Sequence, residues 1–338
     1  MITRLNENNY NYLDFLRALA CFAVILFHYS NSYNYRIDLD TFNIGVQLFT
    51  FTRWCVPIFL MITGALLLGS SYDTLHFYKK RLIRIIPPFL FWCLVYIIFR
   101  LVKKEIEMSQ IIDLMLFRNG NAVSFHFWYI YLLIGLVLFI PFLSHWSEKK
   151  DKTSMIVFIT IWFYWLVTVN LYDSFSIGII LTQFSEYIGY IVLGYFLHIL
   201  PSKKYNIWIG ILLFFIGYVY SYYSTMEISI AAQKFNDGLQ RYLSWNVCFM
   251  SIGVFIIVKH ISLLKIGNLV IKEISKYSYG IYLAHIIIRD TLVKNNFDFL
   301  KFENYSFLII KSIIVLVLSY IVVKMVNKAF TYGKYISG

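Results

Sequence analysis

Charge is scarce in this chain: Asp, Glu, Lys and Arg make up 14% of its 338 residues, against 59% hydrophobic residues and a mean hydropathy of +0.66. A soluble domain carries about a quarter of its residues as charges, so that class is excluded. Cysteine is limited to Cys21, Cys55, Cys93 and Cys248, each inside an apolar run and none in a C-x-x-C pair. Neither a disulfide framework nor a zinc site is expected, and the four read as packing residues. There is no G-x-x-x-x-G-K-[ST] loop, no H-E-x-x-H and no G-x-S-x-G elbow, so ATP-driven transport and zinc proteolysis lose their usual signatures. Internal repeats, low-complexity linkers and a second soluble domain are also missing, and residues 1–338 read as a single integral-membrane domain. The polar, Asn-rich first twelve residues show no compact apolar core with a cleavage site, so the first apolar run reads as a retained anchor rather than a signal peptide.

Apolar windows long enough to span a bilayer fall at 13–33, 44–69, 85–102, 127–145, 154–171, 181–200, 206–224, 241–259, 277–294 and 304–325. The fold class expected is all-α: a polytopic membrane helix bundle of about ten transmembrane helices. Basic residues set its orientation. Lys79, Lys80, Arg81 and Arg84 follow the second window; Lys149, Lys150 and Lys152 the fourth; Lys203 and Lys204 the sixth; and Lys259, Lys265, Lys272 and Lys276 flank the connection after the eighth. Lys324, Lys328 and Lys334 lie at the C-terminus. The odd connections either lack basic residues, as around Asp173, or mix Arg118, Lys234, Lys294 and Lys301 with acids, which places both termini, residues 1–12 and 326–338, in the cytoplasm. The net charge of +12 is therefore mostly topology in a multi-pass cell-membrane protein, and no soluble basic surface remains for nucleic acid.

Three residues in "LDFLRALACFAVILFHYS" are expensive in oil: Asp14, Arg17 and His28. Eleven positions put Arg17 and His28 within about 20° of each other and roughly 16 Å apart along the axis. Asp14, three residues before Arg17, projects to the same side. The second window runs back inward and brings Arg53 close to the level of His28, so the two can face one another, while Pro57 is expected to kink that helix. A second polar stripe occupies the ninth window, where Ser278, Tyr282, His285 and Arg289 recur at helical spacing. His126 opens the fourth window and Glu186 falls in the first turns of the sixth. Asp14, His126, Glu186, Ser278, Tyr282 and His285 are accordingly the candidates for contact with substrate. His285 and Asp290 spell H-x-x-x-x-D, but on a continuous helix they stand about 140° apart and cannot close as a dyad. Lys79, Lys80, Arg81 and Arg84, just before Pro87 and Pro88, form a dense basic patch. It reads either as plain topology and attraction to anionic lipid, or as a phosphate site for a cytoplasmic cosubstrate.

Arg17 and His28, with ten residues between them, resemble the R-x10-H signature of the first helix of acyltransferase family 3, the integral-membrane O-acyltransferases of bacterial surface glycans. The likeness continues, in order, through "RWCVPIFLMITGALLL", the basic segment before the third window, "FHFWYIYLLIGLVLFIPFL" ending near Pro141, and "SYGIYLAH". It is nearest the branch containing the enterobacterial common antigen O-acetyltransferase, whose members lack an appended soluble domain. Two departures stand out: His126 sits where the larger O-antigen branch carries an acidic motif, and Lys79, Lys80 and Arg81 replace an R-x-R.

The resemblance implies that Arg17 and His28 are needed for transfer, that Arg53 supports the site, and that Lys79, Lys80, Arg81 and Arg84 lie by the phosphates of acyl-CoA. The cosubstrate expected is acetyl-CoA with no metal, and the acceptor a glycan or lipid-linked saccharide. His28 suits a general base, and Arg53, or less readily Arg17, an oxyanion stabiliser. The competing reading is a transporter or flippase of a lipid-linked sugar or small solute, which also uses kinked helices and an intramembrane polar stripe. Oligomeric state is not legible.

Overall fold

A computed structural model describes residues 11–33, 39–118, 121–149, 151–171, 186–203, 206–261, 269–294, 304–330 and 333–336, and among them every regular element is helical. The sequence positions Lys150, Lys204, Lys265, Asp173 and Lys301, the start of the sixth window and the N-terminus up to residue 10 lie outside the described residues.

The helices are α1 (Asn11–Tyr33), α2 (Leu39–Thr52), α3 (Cys55–Leu67), α4 (Thr74–Val102), α5 (Ile111–Met115), α6 (Trp128–Glu148), α7 (Lys152–Leu171), α8 (Ile188–Ile199), α9 (Asn206–Ala231), α10 (Trp245–Ile261), α11 (Leu269–Lys294), α12 (Tyr305–Ala329) and α13 (Gly333–Ile336). Among the described residues, seven stretches are long and apolar enough to cross a membrane: Tyr12–Asn31, Asp40–Leu67, Thr74–Val102, Phe125–Glu148, Asn206–Ala231, Gly238–Ile261 and Tyr305–Ala329. Lys152–Tyr164 and Ile188–Ile199 are apolar but shorter. Helix α11, which contains the ninth window, carries Lys272, Glu273, Lys276, Arg289 and Asp290 along its length.

The second window is two helices. Pro57 has no N–H to give the carbonyl of Arg53, four residues back, and its ring crowds that carbonyl, so α2 ends at Thr52 and α3 starts at Cys55. The last turn tightens as Arg53 N–H bonds Thr50 O at 3.2 Å, and Ile58 N–H resumes the helical pattern with Trp54 O at 3.1 Å. The break thus falls at Arg53 and Trp54, upstream of the proline itself. By contrast, Pro87 and Pro88 lie inside α4, an unbroken helix that begins with an Asp73 cap on His76 N–H at 2.7 Å. The basic cluster is therefore part of the same helix as the apolar run that follows it.

The chain divides into two compact units. The first comprises Met1–Gly69, Lys149–Lys276 and Leu300–Ile313. In it α3 and α8 approach backbone to backbone: a methyl at Gly64 would overlap the carbonyl oxygen of Ile191, and one at Gly194 would overlap that of Met61. Backbone approach of this kind between apolar helices is what glycine allows. Helices α9 and α10 meet the same way, with Gly253 against the carbonyl of Gly210 and Gly217 against that of Asn246. The C-terminal carbonyls of α8 are closed by Lys259, whose Nζ donates to Leu197 O at 2.7 Å, His198 O at 2.9 Å and Leu200 O at 2.6 Å.

The second unit comprises Ser70–Glu148, Tyr277–Phe299 and Ile314–Gly338. In it α4 packs on α6, Tyr78 donates to Leu138 O at 2.6 Å, and Phe89 meets Phe127 and Tyr131 edge to face at 5.4 and 5.3 Å.

Candidate active site

Helix α1 is continuous from Asn11 to Tyr33, so the helical repeat keeps Arg17 and His28 on one face. Near its N-terminal end a polar cluster closes in the first unit. Arg17 Nη1 lies 3.7 Å from Asp14 Oδ1 and donates to Ser275 Oγ at 3.2 Å, while Ser275 Oγ donates to Asp14 Oδ1 at 2.6 Å. Ser275 is buried, and Asp14 and Arg17 are partly exposed. One hydroxyl from α11 thus satisfies both charges on α1.

At the other end of the face His28 is half-buried, and its ring packs edge to face on Phe27 with centroids 5.0 Å apart. Phe27 also receives Arg53, whose Cζ stands 5.2 Å over the ring. The guanidinium is stacked as well on Phe49 at 4.6 Å and Tyr242 at 4.7 Å, and the residue is 6% exposed. Its ion-pair partner is Asp237, with Nη2 to Oδ2 at 3.1 Å. Arg53 Nε is buried and makes no hydrogen bond. The sequence expectation of Arg53 at the level of His28 takes a specific form here: both rest on the same phenyl ring.

The segment that supplies Asp237 and Tyr242 is fixed from below. Gln240, fully buried, donates through Nε2 to Thr50 Oγ1 on α2 at 2.9 Å and to Thr225 Oγ1 on α9 at 2.6 Å. Asn246 donates to Ser221 Oγ at 2.6 Å and Leu239 O at 2.9 Å. Sequence reading missed Asp237, Gln240, Tyr242 and Ser275. The first three sit in or beside a short irregular turn, where no periodicity marks a face, and Ser275 lies one helical turn before the stripe that was picked out.

The second unit gathers another set of the predicted residues. His126, in a single turn ahead of α6, is 1% exposed, and His285 on α11 is fully buried. Their rings lie 5.1 Å apart at 74°. Tyr282 donates its hydroxyl to the carbonyl of His126, His285 Nδ1 pairs with Tyr282 O at 2.6 Å, and Ser124 Oγ pairs with His126 Nδ1 at 2.9 Å. Ser278 is buried on the same helix, whereas Arg289 binds its neighbour Asp290 at 2.6 Å.

Of the basic cluster, Lys79, Lys80 and Arg84 are exposed, and Arg81 turns inward with its guanidinium 5.7 Å from the Phe77 ring. Glu186 is exposed and precedes α8 instead of lying in its first turns; its carbonyl accepts Trp162 Nε1–H at 3.0 Å. The four cysteines are buried and free of disulfides. Among the described residues no three His, Cys, Asp or Glu side chains are grouped as a metal ion would require.

The arrangement in the first unit brings an imidazole, His28, and a buried guanidinium, Arg53, onto one phenyl ring. No curated protein and no solved structure matches the chain. Residues 10–324 do match one family, described as the acyltransferase domain of acyltransferase 3. That span takes in α1 with Arg17 and His28, the Arg53 break, the basic cluster and both histidines of the second unit. The match favours acyl transfer over solute transport, and with the seven apolar stretches it makes this a multi-pass membrane protein. The chain belongs to the acyltransferase 3 family.

Proposed function

We propose that the protein moves an acetyl group from cytoplasmic acetyl-CoA to a hydroxyl of a cell-surface or lipid-linked glycan. In this reading it does so from the cytoplasmic membrane, with about ten spans, both termini inside, and nearest kin in the enterobacterial common antigen branch. The observation that carries the proposal is the shared phenyl ring: His28 and the buried Arg53 both pack on Phe27.

In the proposed step His28 takes the proton of the acceptor hydroxyl as its oxygen attacks the thioester carbonyl. Arg53 faces the negative charge that gathers on the carbonyl oxygen, in surroundings where a preorganised donor is worth far more than in water. The intermediate then expels the CoA thiolate, which leaves with the proton held by His28, and the acetyl ester remains on the glycan. Arg17, tied to Asp14 and Ser275, guides the donor. Lys79, Lys80, Arg81 and Arg84 take its phosphates, with the Arg forks suited to paired oxygens. Asp14, His126, Glu186, Ser278, Tyr282 and His285 are the positions to probe for acceptor contact.

The test is mass spectrometry of surface polysaccharide from cells with the gene, without it, and with His28→Ala. Loss of an acetyl group per repeat is expected in the second and third, because a positioned general base contributes about 10²- to 10⁴-fold. Unchanged acetylation in the His28→Ala strain overturns the base assignment.

A further inference from the structure

We infer that Asp237 is a positioning residue for the reaction: its carboxylate sets the orientation of the Arg53 guanidinium and keeps one edge of it turned to substrate. The inference rests on the role given above to Arg53. Three rings, Phe27, Phe49 and Tyr242, enclose that guanidinium; the two phenyl rings hold it in place without choosing which of its N–H groups points where, and Tyr242 adds a side-chain hydrogen bond to it. The charged partner is Asp237, which engages Nη2 at 3.1 Å. With that corner fixed, planar geometry fixes the rest of the fork. Nε–H is buried and makes no hydrogen bond, a donor held out of water with its direction already set. A buried donor without an acceptor is costly and needs a reason, and an oxygen that gains charge only during the reaction supplies one.

The carboxylate is itself well anchored, although half-exposed. Asp237 opens the single turn Gly238–Gln240, and Asn236 beside it brackets that turn, its N–H donating to Ser229 Oγ at 3.0 Å and its Oδ1 accepting from Gly238 N–H at 2.9 Å. At the other end of the turn Gln240 is bonded to Thr50, whose carbonyl receives the N–H of Arg53. The turn that carries Asp237 is therefore clipped to the same helix end that carries Arg53. Because Tyr242 arrives from the same segment, one short stretch of chain brings both the charge partner and one wall of the cage.

The experiment uses the full-length protein in native membranes with radiolabelled acetyl-CoA, and follows transfer to endogenous polysaccharide in four variants: Asp237→Asn, Asp237→Glu, Arg53→Gln and the Arg53→Gln/Asp237→Asn double. Asp237→Asn is expected to lower kcat by about ten- to a hundredfold with the KM for acetyl-CoA within about twofold, as for an interaction made only in the transition state. Asp237→Glu restores most of the rate, which a merely structural defect would not show. The double variant is no slower than Arg53→Gln alone, because the two act as one unit. Melting temperatures of the purified variants accompany the rates. A wild-type rate in Asp237→Asn beside an inert Arg53→Gln overturns the inference and leaves the role of Arg53 standing. A wild-type rate in Arg53→Gln takes down both.

Discussion

Ser275 on α11 holds Asp14 on α1 by a 2.6 Å hydrogen bond and accepts one from Arg17 at the same oxygen. The ion pair between Asp14 and Arg17 is loose at 3.7 Å, so the hydroxyl joins charges that do not fully join each other. Ser275→Ala leaves a carboxylate oxygen and a guanidinium N–H short of one bond each, at a cost of about 1–2 kcal/mol. Melting of the detergent-solubilised variant is expected to fall by a few degrees, and Ser275→Thr, which keeps the hydroxyl, to fall less. A variant as stable as wild type removes the bridge from the account.

The glycine contact between α3 and α8 makes a sharper prediction. Gly64→Ala and Gly194→Ala each drive a methyl into backbone that has no side-chain freedom to yield, so each is expected to cost at least the about 1–3 kcal/mol of ordinary overpacking. Once either substitution has pushed the helices apart, the second finds room already made. The double variant is therefore less destabilised than the sum of the singles, in the way that neighbouring sites couple. Strict additivity in chemical or thermal unfolding contradicts the close approach.

The basic cluster separates into two kinds of residue. Lys79, Lys80 and Arg84 are exposed and free to meet phosphate, whereas Arg81 packs against Phe77. Replacing the exposed three by Gln is expected to raise the KM for acetyl-CoA several-fold with little change in kcat, the signature of lost uniform binding. Arg81→Gln is expected to lower stability as well, since the stem and guanidinium cover apolar surface. An unchanged KM in the triple variant removes the cluster from the donor site.

Which parts of this could be read from the sequence follows from what a linear pattern records. A helix repeats every 3.6 residues, so the shared face of Arg17 and His28 and the neighbouring Asp14 needed nothing beyond spacing. The same logic found Ser278, Tyr282 and His285 as a stripe. It gave no sign that His126 would meet His285, because those residues come from different elements and periodicity does not pair them. Asp237 was hidden for a related reason: it lies in "KFNDGLQ", a turn whose importance comes only from what it is folded against. Proline was informative but displaced. Pro57 marked a disturbance whose position is set by the carbonyl four residues earlier, whereas Pro87 and Pro88 fall inside a helix that runs unbroken from Thr74. Membership of the family needed neither contacts nor packing, since five short motifs in order were already in the chain.

The interruption at Arg53 has a mechanical consequence. With 14 residues in α2 and 13 in α3, each rod rises only about 20 Å, short of the roughly 30 Å of a hydrocarbon layer. Neither rod bridges the lipid unaided, and the seam where they abut is the place that carries the guanidinium. A crossing built on Asp40–Leu67 therefore needs both rods end to end, with Arg53 at their junction.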